Sequence, residues 1–194
     1  MSDYVVLSAV SDALRKILWQ DFQADPVISP IVGSEAGIVF SNPTETALDS
    51  ANRLSLWLYQ VTENEHVKNP PLLKSNGTVE HAPLALNLSY LVTPFATSRD
   101  ADHLLLGKTM QVLYDNAITV LRDPVSRVFE ELRIILARLT LEELAGVWEA
   151  LREPYRLSVA YQVRVTRIDS LRSFPVTRVI DRVASYEPVA MESA

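Results

Sequence analysis

The sequence predicts a single-domain α+β protein in which a mixed or antiparallel sheet is covered by helices. Segments with helical apolar spacing and segments with strand-like alternation are interspersed without a regular βαβ repeat. The 194 residues are 48% apolar and 22% charged, as expected of one soluble globular domain. We place this domain at residues 1–184 and expect a flexible C-terminal tail over 185–194.

The first element is a helix from Tyr4 to Phe22, because apolar residues recur there every three or four positions. Asp3 is placed as its candidate N-cap. Pro26 and Pro30 predict a loop, since proline interrupts regular structure. Gly37–Phe40 then predicts a short apolar strand.

Two longer strands follow, separated by a polar arm. Arg53–Thr62 is apolar on both faces, so we expect it to be covered on both sides, by its own domain or by a neighbour. Residues 63–83 form the polar arm, and Asn76-Gly77 in its middle suits a type I′ turn. We therefore expect a hairpin or an ordered excursion there. Leu84–Thr93 alternates cleanly and predicts the second strand.

The C-terminal part contains further segments of both kinds. Asp100–Tyr114 predicts a helix with acids in its first turn. Phe129–Leu139 favours a strand, with a helix as the competing interpretation. Thr140–Leu151 opens with a capping box and predicts a short helix. Leu157–Thr166 is the clearest strand pattern, and Val176–Val183 is a last, short candidate.

Composition and motifs exclude several kinds of chemistry. The chain has no cysteine, which excludes disulfides and thiolate sites, and its 5 glycines are dispersed, which excludes phosphate-binding glycine loops. Its 3 histidines lie outside metal-binding spacings, and no serine stands in a nucleophile elbow. Adjacent carboxylates point in different directions and cannot converge on a substrate. We therefore predict no catalytic residue, no metal and no cofactor, and no apolar run is long enough to span a membrane.

Charge is distributed unevenly along the chain. Residues 1–121 hold 7 Lys and Arg against 13 Asp and Glu, whereas 122–194 hold 11 of each, and every cation there is arginine. The excess is basic over 152–182, where 7 Arg face 3 acids. Arginine grips carboxylates bidentately, so this segment suggests a protein interface, although a solvated face with local ion pairs stays open. The overall pI of about 5.1 argues against nucleic-acid binding.

Several local strings, taken together, are similar to one protein family. The strings are Leu54–Asn64, Asn69–Pro71, Pro83–Pro94, Leu105–Lys108, Leu141–Leu144 with Trp148, and Tyr155–Tyr161. In order and content they resemble the tail-terminator or cap proteins of phage-tail-like contractile injection systems, a family long described only as a domain of unknown function. Alternation and helical spacing already predict that the following aromatic members of these strings are core residues: Trp57, Tyr59, Tyr90 and Trp148.

The resemblance implies a tail-terminator-like fold and a structural, non-enzymatic subunit. Such subunits form a ring, typically sixfold, that sits on the distal end of the inner tube and sheath, stops tube growth and holds the last sheath layer. The implied partners are further copies of the chain, tube subunits and sheath subunits. Assembly would occur in the cytoplasm, and a released particle would take the subunit outside the cell.

A ring of identical subunits needs two different, complementary patches on each copy. We expect an acidic part of one copy to face the Arg-rich part of the next, and the polar arm to reach a neighbour or the tube end. We expect no nucleic acid and no membrane insertion by this chain. The alternative function is a small-molecule or nucleic-acid binding module, and an enzyme ranks third. The candidate interface residues are Arg156, Arg164, Arg167, Arg172, Arg178, Asn69, Pro70, Asn76 and Gly77.

Overall fold

The computed structural model describes residues 4–51, 53–65, 74–75, 78–80, 83–122, 129–168, 170 and 173–175. These residues form five α-helices and nine strands. The helices are α1 (Val6–Ala24), α2 (Ile28–Val32), α3 (Pro43–Thr46), α4 (Arg99–Asp115) and α5 (Leu141–Leu151). The strands are β1 (Ile38–Val39), β2 (Leu54–Glu63), β3 (Lys74–Ser75), β4 (Thr78–Glu80), β5 (Leu84–Pro94), β6 (Ile118–Arg122), β7 (Phe129–Leu136), β8 (Val159–Ile168) and β9 (Ser173–Pro175).

The strands form one large and one small sheet. The six-stranded sheet has the order β1-β2-β5-β8-β7-β6, and β3, β4 and β9 form the second sheet. Only β1 pairs in parallel, with β2, while the other pairs of neighbours in the large sheet are antiparallel. The sheet is therefore mixed, which confirms the predicted α+β class and selects between its two forms.

One face of the large sheet, which we call the inner face, is covered by helices. Helix α1 contacts β6 and β8, and α4 contacts β5 and β7. Strand alternation brings one set of apolar side chains to this face, as the sequence predicts. The core there includes the fully buried Leu54, Leu88, Tyr90, Leu132 and Val163 of the sheet and Val10, Leu18, Phe22, Leu105 and Leu113 of the helices.

Helix α1 presents a stripe of buried side chains, as its spacing predicts, and also buries one polar contact. The hydroxyls of Ser11 and Tyr90 share a hydrogen bond of 2.8 Å, and the Ser11 hydroxyl also donates to the Leu7 carbonyl at 3.2 Å. Burial raises the pKa of Tyr90 to about 12, partly offset by the bond to Ser11. This pair fixes α1 against the centre of the sheet.

The loop predicted from Pro26 and Pro30 is wrong in part, because α2 spans Ile28–Val32. Pro30 lies in the first turn of that helix, where backbone N–H groups have no helical partner and proline is tolerated. The Asp25 carboxylate accepts from the amides of Val27 and Ile28 at 2.9 and 3.1 Å. These two bonds hold the pKa of Asp25 below its usual value.

The remaining predictions divide by location. The strand interpretation of 129–139 is confirmed by pairing of β7 with β6 and β8, and the competing helix is wrong. Strands β3 and β4 pair across positions 76 and 77, so the hairpin is confirmed. Strand β6 is an element that the sequence reasoning missed. The Asp3 cap, the strand at 176–183 and the tail at 185–194 lie outside the described residues.

Candidate assembly interface

Arg156 is bound within the chain rather than presented as a free cation. Its Nη2 donates to Oδ2 of Asp102 at 3.0 Å, and its Nε donates to the Pro94 carbonyl at 3.1 Å. The guanidinium also lies 4.3 Å from the centre of the Phe95 ring. The second oxygen of Asp102 accepts from the Ala96 amide at 2.7 Å. Arg156 therefore joins the segment before β8 to the end of β5 and to α4.

This arrangement changes how Arg156 can act. The Asp102 side chain is 5% exposed and that of Arg156 is 27% exposed, so the pair is mostly shielded from water. Removing one member of such a pair leaves an uncompensated charge in the interior, which destabilises the fold. Arg156 therefore has a role inside the subunit, and its role between subunits stays a prediction.

Arg164 and Arg167 lie on the opposite side of the large sheet, which we call the outer face. Both are exposed and both belong to β8. Arg164 donates to the Gln162 side chain at 2.6 Å and is the cross-strand neighbour of Arg133 on β7. Arg133 in turn bonds Glu131 at 3.1 Å. Like charges on facing positions repel, so this arrangement favours an anionic partner.

The other predicted interface residues are outside the described residues, namely Arg172, Arg178, Asn69, Pro70, Asn76 and Gly77. Their neighbours are nevertheless informative. Strand β4 pairs with β9, and Val79 lies opposite Phe174 in the register of the two strands. The structure therefore joins the polar arm and the C-terminal basic segment in one small sheet, which sequence spacing does not reveal.

Helix α5 covers part of the outer face. Its N-terminus has the predicted capping box, in which Thr140 accepts from the Glu143 amide at 3.2 Å and the Glu143 carboxylate accepts from the Thr140 amide at 2.7 Å. Trp148 is buried and donates from its indole to the Ser158 hydroxyl at 3.2 Å. The helix therefore docks through one aromatic anchor.

A groove of about 460 Å³ runs between α5 and β2. Trp57 and Tyr59 form its sheet side and are half-buried rather than in the core, which corrects their predicted place. Burial raises the pKa of Tyr59. The groove is lined by Trp57, Tyr59, Gln60, Leu139, Glu143, Gly146, Val147 and Ala150.

The half of the outer face formed by β6, β7 and the end of β8 is exposed. Ile118, Val120 and Ile135 are 65%, 51% and 38% exposed, and they lie beside the arginines of β7 and β8. We call this set the bare patch; it comprises Ile118, Val120, Arg133, Ile135, Arg164 and Arg167. The reasoning from sequence missed its β6 and β7 members, although the alternation of Glu131, Arg133 and Ile135 with buried neighbours marks an outward row.

The described residues hold no candidate metal-binding group and no candidate membrane-spanning helix. No group of three or more His, Asp or Glu residues there is arranged to hold a metal ion. No helix among the described residues is long and apolar enough to cross a membrane. What the described surface does offer is charged and apolar patches suited to protein contacts.

Comparison with solved structures identifies similar folds. The sheath/tube terminator of an extracellular contractile injection system, PVC, in its extended state matches with a TM-score of 0.56 and 16% identity, over 88% of this chain and 64% of that one. The anti-feeding prophage cap, a tube-terminating cap, matches with a TM-score of 0.49 and 18% identity, over 69% of this chain and 49% of that one. The chain thus spans less than two thirds of each. No curated protein matches its sequence.

A comparison with protein families gives a match along almost the whole chain. The matching family is described as the Pvc16 N-terminal domain, and the match covers residues 9–182. It includes both sheets, all five described helices apart from the first residues of α1, and the bare patch. The chain therefore belongs to the Pvc16 N-terminal domain family.

Proposed function

We propose that this chain is a structural subunit that ends the tube of a contractile injection particle. The main support is the family match over residues 9–182, together with a fold shared with a sheath/tube terminator. The strings that suggested the same role from the sequence include strands β2 and β5, which are paired neighbours in the large sheet. The proposed partners are tube and sheath subunits at the distal end of the particle.

We propose further that copies of the chain form a ring of six, the number that the family resemblance implies. A ring needs heterologous contacts, in which two different patches of one subunit meet. The bare patch carries exposed arginines and the remainder of the surface is acidic, so these two surfaces are different and complementary in charge. The proposed role is non-enzymatic, since its work is binding at a defined position. In this scheme the ring assembles in the cytoplasm and travels with any particle that is released.

The test is to locate the chain on assembled particles. A tagged copy would be supplied to a producing strain that lacks the gene, and particles would be labelled with a gold conjugate against the tag. The proposal expects gold at one end only, opposite the baseplate. Labelling along the sheath, or particles without any label, would contradict it.

A further inference from the structure

The outer face of the large sheet is covered unequally. Helix α5 lies over β2, where its residues line a groove with Trp57 and Tyr59. At the other side of the sheet, the bare patch presents Ile118 and Val120 to solvent. The solvent-facing side of an antiparallel sheet ordinarily carries polar side chains. Exposed β-branched residues at neighbouring positions on that side therefore indicate a contact surface.

Strand β6 also has an open backbone edge. Within the described part of the chain it is the last strand of the large sheet. The Ala117 carbonyl accepts from the Ile134 amide, and in an antiparallel ladder the bonding direction alternates along the strand. The N–H and C=O groups of Ile118 and Val120 consequently point away from β7. Natural proteins usually protect such an edge with charge, proline or a covering element.

The charge of the bare patch restricts what can cover it. Arg133, Arg164 and Arg167 are exposed, and Arg133 already bonds Glu131 on its own strand. A covering surface must therefore supply carboxylates as well as apolar contact area. A second arginine-rich surface would be repelled.

Helix α5 has the complementary properties. In this fully described helix only Trp148 is buried, although most of its residues are apolar. Its solvent side presents Glu142 and Glu149, seven positions apart and so on one face, and Leu141 at the start of the helix is exposed. Helix α5 therefore combines acids with exposed apolar residues, and it lies across the outer face from the bare patch.

We propose that the bare patch of one copy is covered by α5 of a neighbouring copy, with Glu149 facing Arg133 and Glu142 facing Arg164. This inference rests on the proposed ring and specifies its contact. The two patches are different and do not overlap, so each copy can use both at once. Repetition of this contact is heterologous and generates a closed ring when the rotation between copies allows it.

The test uses charge reversal on the purified full-length chain, with oligomer mass followed by native mass spectrometry and light scattering. Arg133→Glu and Glu149→Arg should each weaken assembly by roughly tenfold or more at low salt, because each places like charges opposite one another. Wild-type assembly should also weaken as salt is raised. Lys16→Glu and Asp21→Arg are matched controls, since both residues are exposed on α1 in the other layer. They should assemble like wild type.

The decisive sample is a mixture of the two variants. At one contact, α5 of the Glu149→Arg variant meets the bare patch of the Arg133→Glu variant, and both charges are reversed. At the next contact, the unchanged bare patch of the Glu149→Arg variant meets the unchanged α5 of the Arg133→Glu variant. The mixture should therefore assemble although neither variant does so alone, and the double variant should recover as well. If wild type assembles and both single variants assemble equally well, the proposed contact is refuted while a ring built differently survives. A mixture that stays dissociated also refutes it, and wild type that remains monomeric at high concentration refutes both contact and ring.

Discussion

Replacement of Arg156 by alanine tests whether this arginine holds the subunit together. The substitution removes the 3.0 Å bond to Asp102 and the 3.1 Å bond to the Pro94 carbonyl. Asp102 stays buried, keeping only the Ala96 amide and the exposed Arg99, whose guanidinium lies 3.5 Å away. A buried carboxylate that loses its main partner destabilises the folded state, because its charge is no longer compensated.

The magnitude follows from this geometry. Removing one partner of a buried ion pair costs about 3–5 kcal/mol. Arg156 retains some exposure and Arg99 remains nearby, so we expect a loss of about 2–4 kcal/mol in the free energy of unfolding. For a domain of this size, that loss lowers the melting temperature by roughly 5–15 °C.

The assay is urea unfolding of the monomeric protein followed by circular dichroism, at a concentration too low for assembly. Arg164→Ala is the matched control, because Arg164 is exposed and its hydrogen bond to Gln162 is also exposed. It should change the free energy of unfolding by less than about 0.5 kcal/mol. Arg156→Lys should fall between the two, since lysine keeps the charge but loses the fork. If Arg156→Ala unfolds like Arg164→Ala, the structural role assigned here is wrong.

Three further predictions concern the core, the capping box and pH. The wild-type protein should lose stability as the pH rises from about 10 through 12, because the folded state holds Tyr90 neutral while the unfolded state releases its proton. Urea unfolding should therefore give a smaller free energy of unfolding at pH 11 than at pH 8. Tyr90→Phe should reduce this difference between the two pH values. Thr140→Ala should lower the free energy of unfolding by about 1 kcal/mol, because it removes the side-chain oxygen that accepts from the Glu143 amide. Thr140→Ser keeps that oxygen and should be nearly neutral in thermal unfolding. An equal loss in both variants would contradict the capping role. Leu88→Ala should lower the free energy of unfolding in denaturant by about 2–5 kcal/mol, because Leu88 is fully buried. Leu141 is exposed, so Leu141→Ala should lower it by less than about 0.5 kcal/mol. Similar values for both variants would place Leu88 outside the core.

Periodicity predicted the elements whose environment is uniform along their length. Helix α1 and strands β5 and β8 each bury a regularly spaced row of apolar side chains in the core, so the spacing of these residues reports the fold directly. The capping box at Thr140 was also readable, because it depends on residues only three positions apart. The same locality explains why the hairpin around positions 76 and 77 was predicted.

Two kinds of feature could not be predicted, namely those in which local signals compete and those that depend on distant residues. Pro30 indicates a loop by itself, and its place in α2 follows from the tolerance of proline in a first turn. Arg156 was chosen for its charge, yet its partner Asp102 is 54 positions away and is brought close only by the fold. The bare patch likewise needs the register of β6 on β7. Charge therefore identified the arginines, and only tertiary structure separated an internal one from exposed ones.

The central claim is that this chain ends tube growth in a contractile particle, and tube length is its most direct measure. Electron micrographs would compare particles from a producing strain with and without the gene, with the wild-type gene restored as a control. The proposed role predicts that tubes lose their uniform length without the chain and regain it on restoration. An unchanged length distribution, with sheaths still held at the distal end, would contradict it.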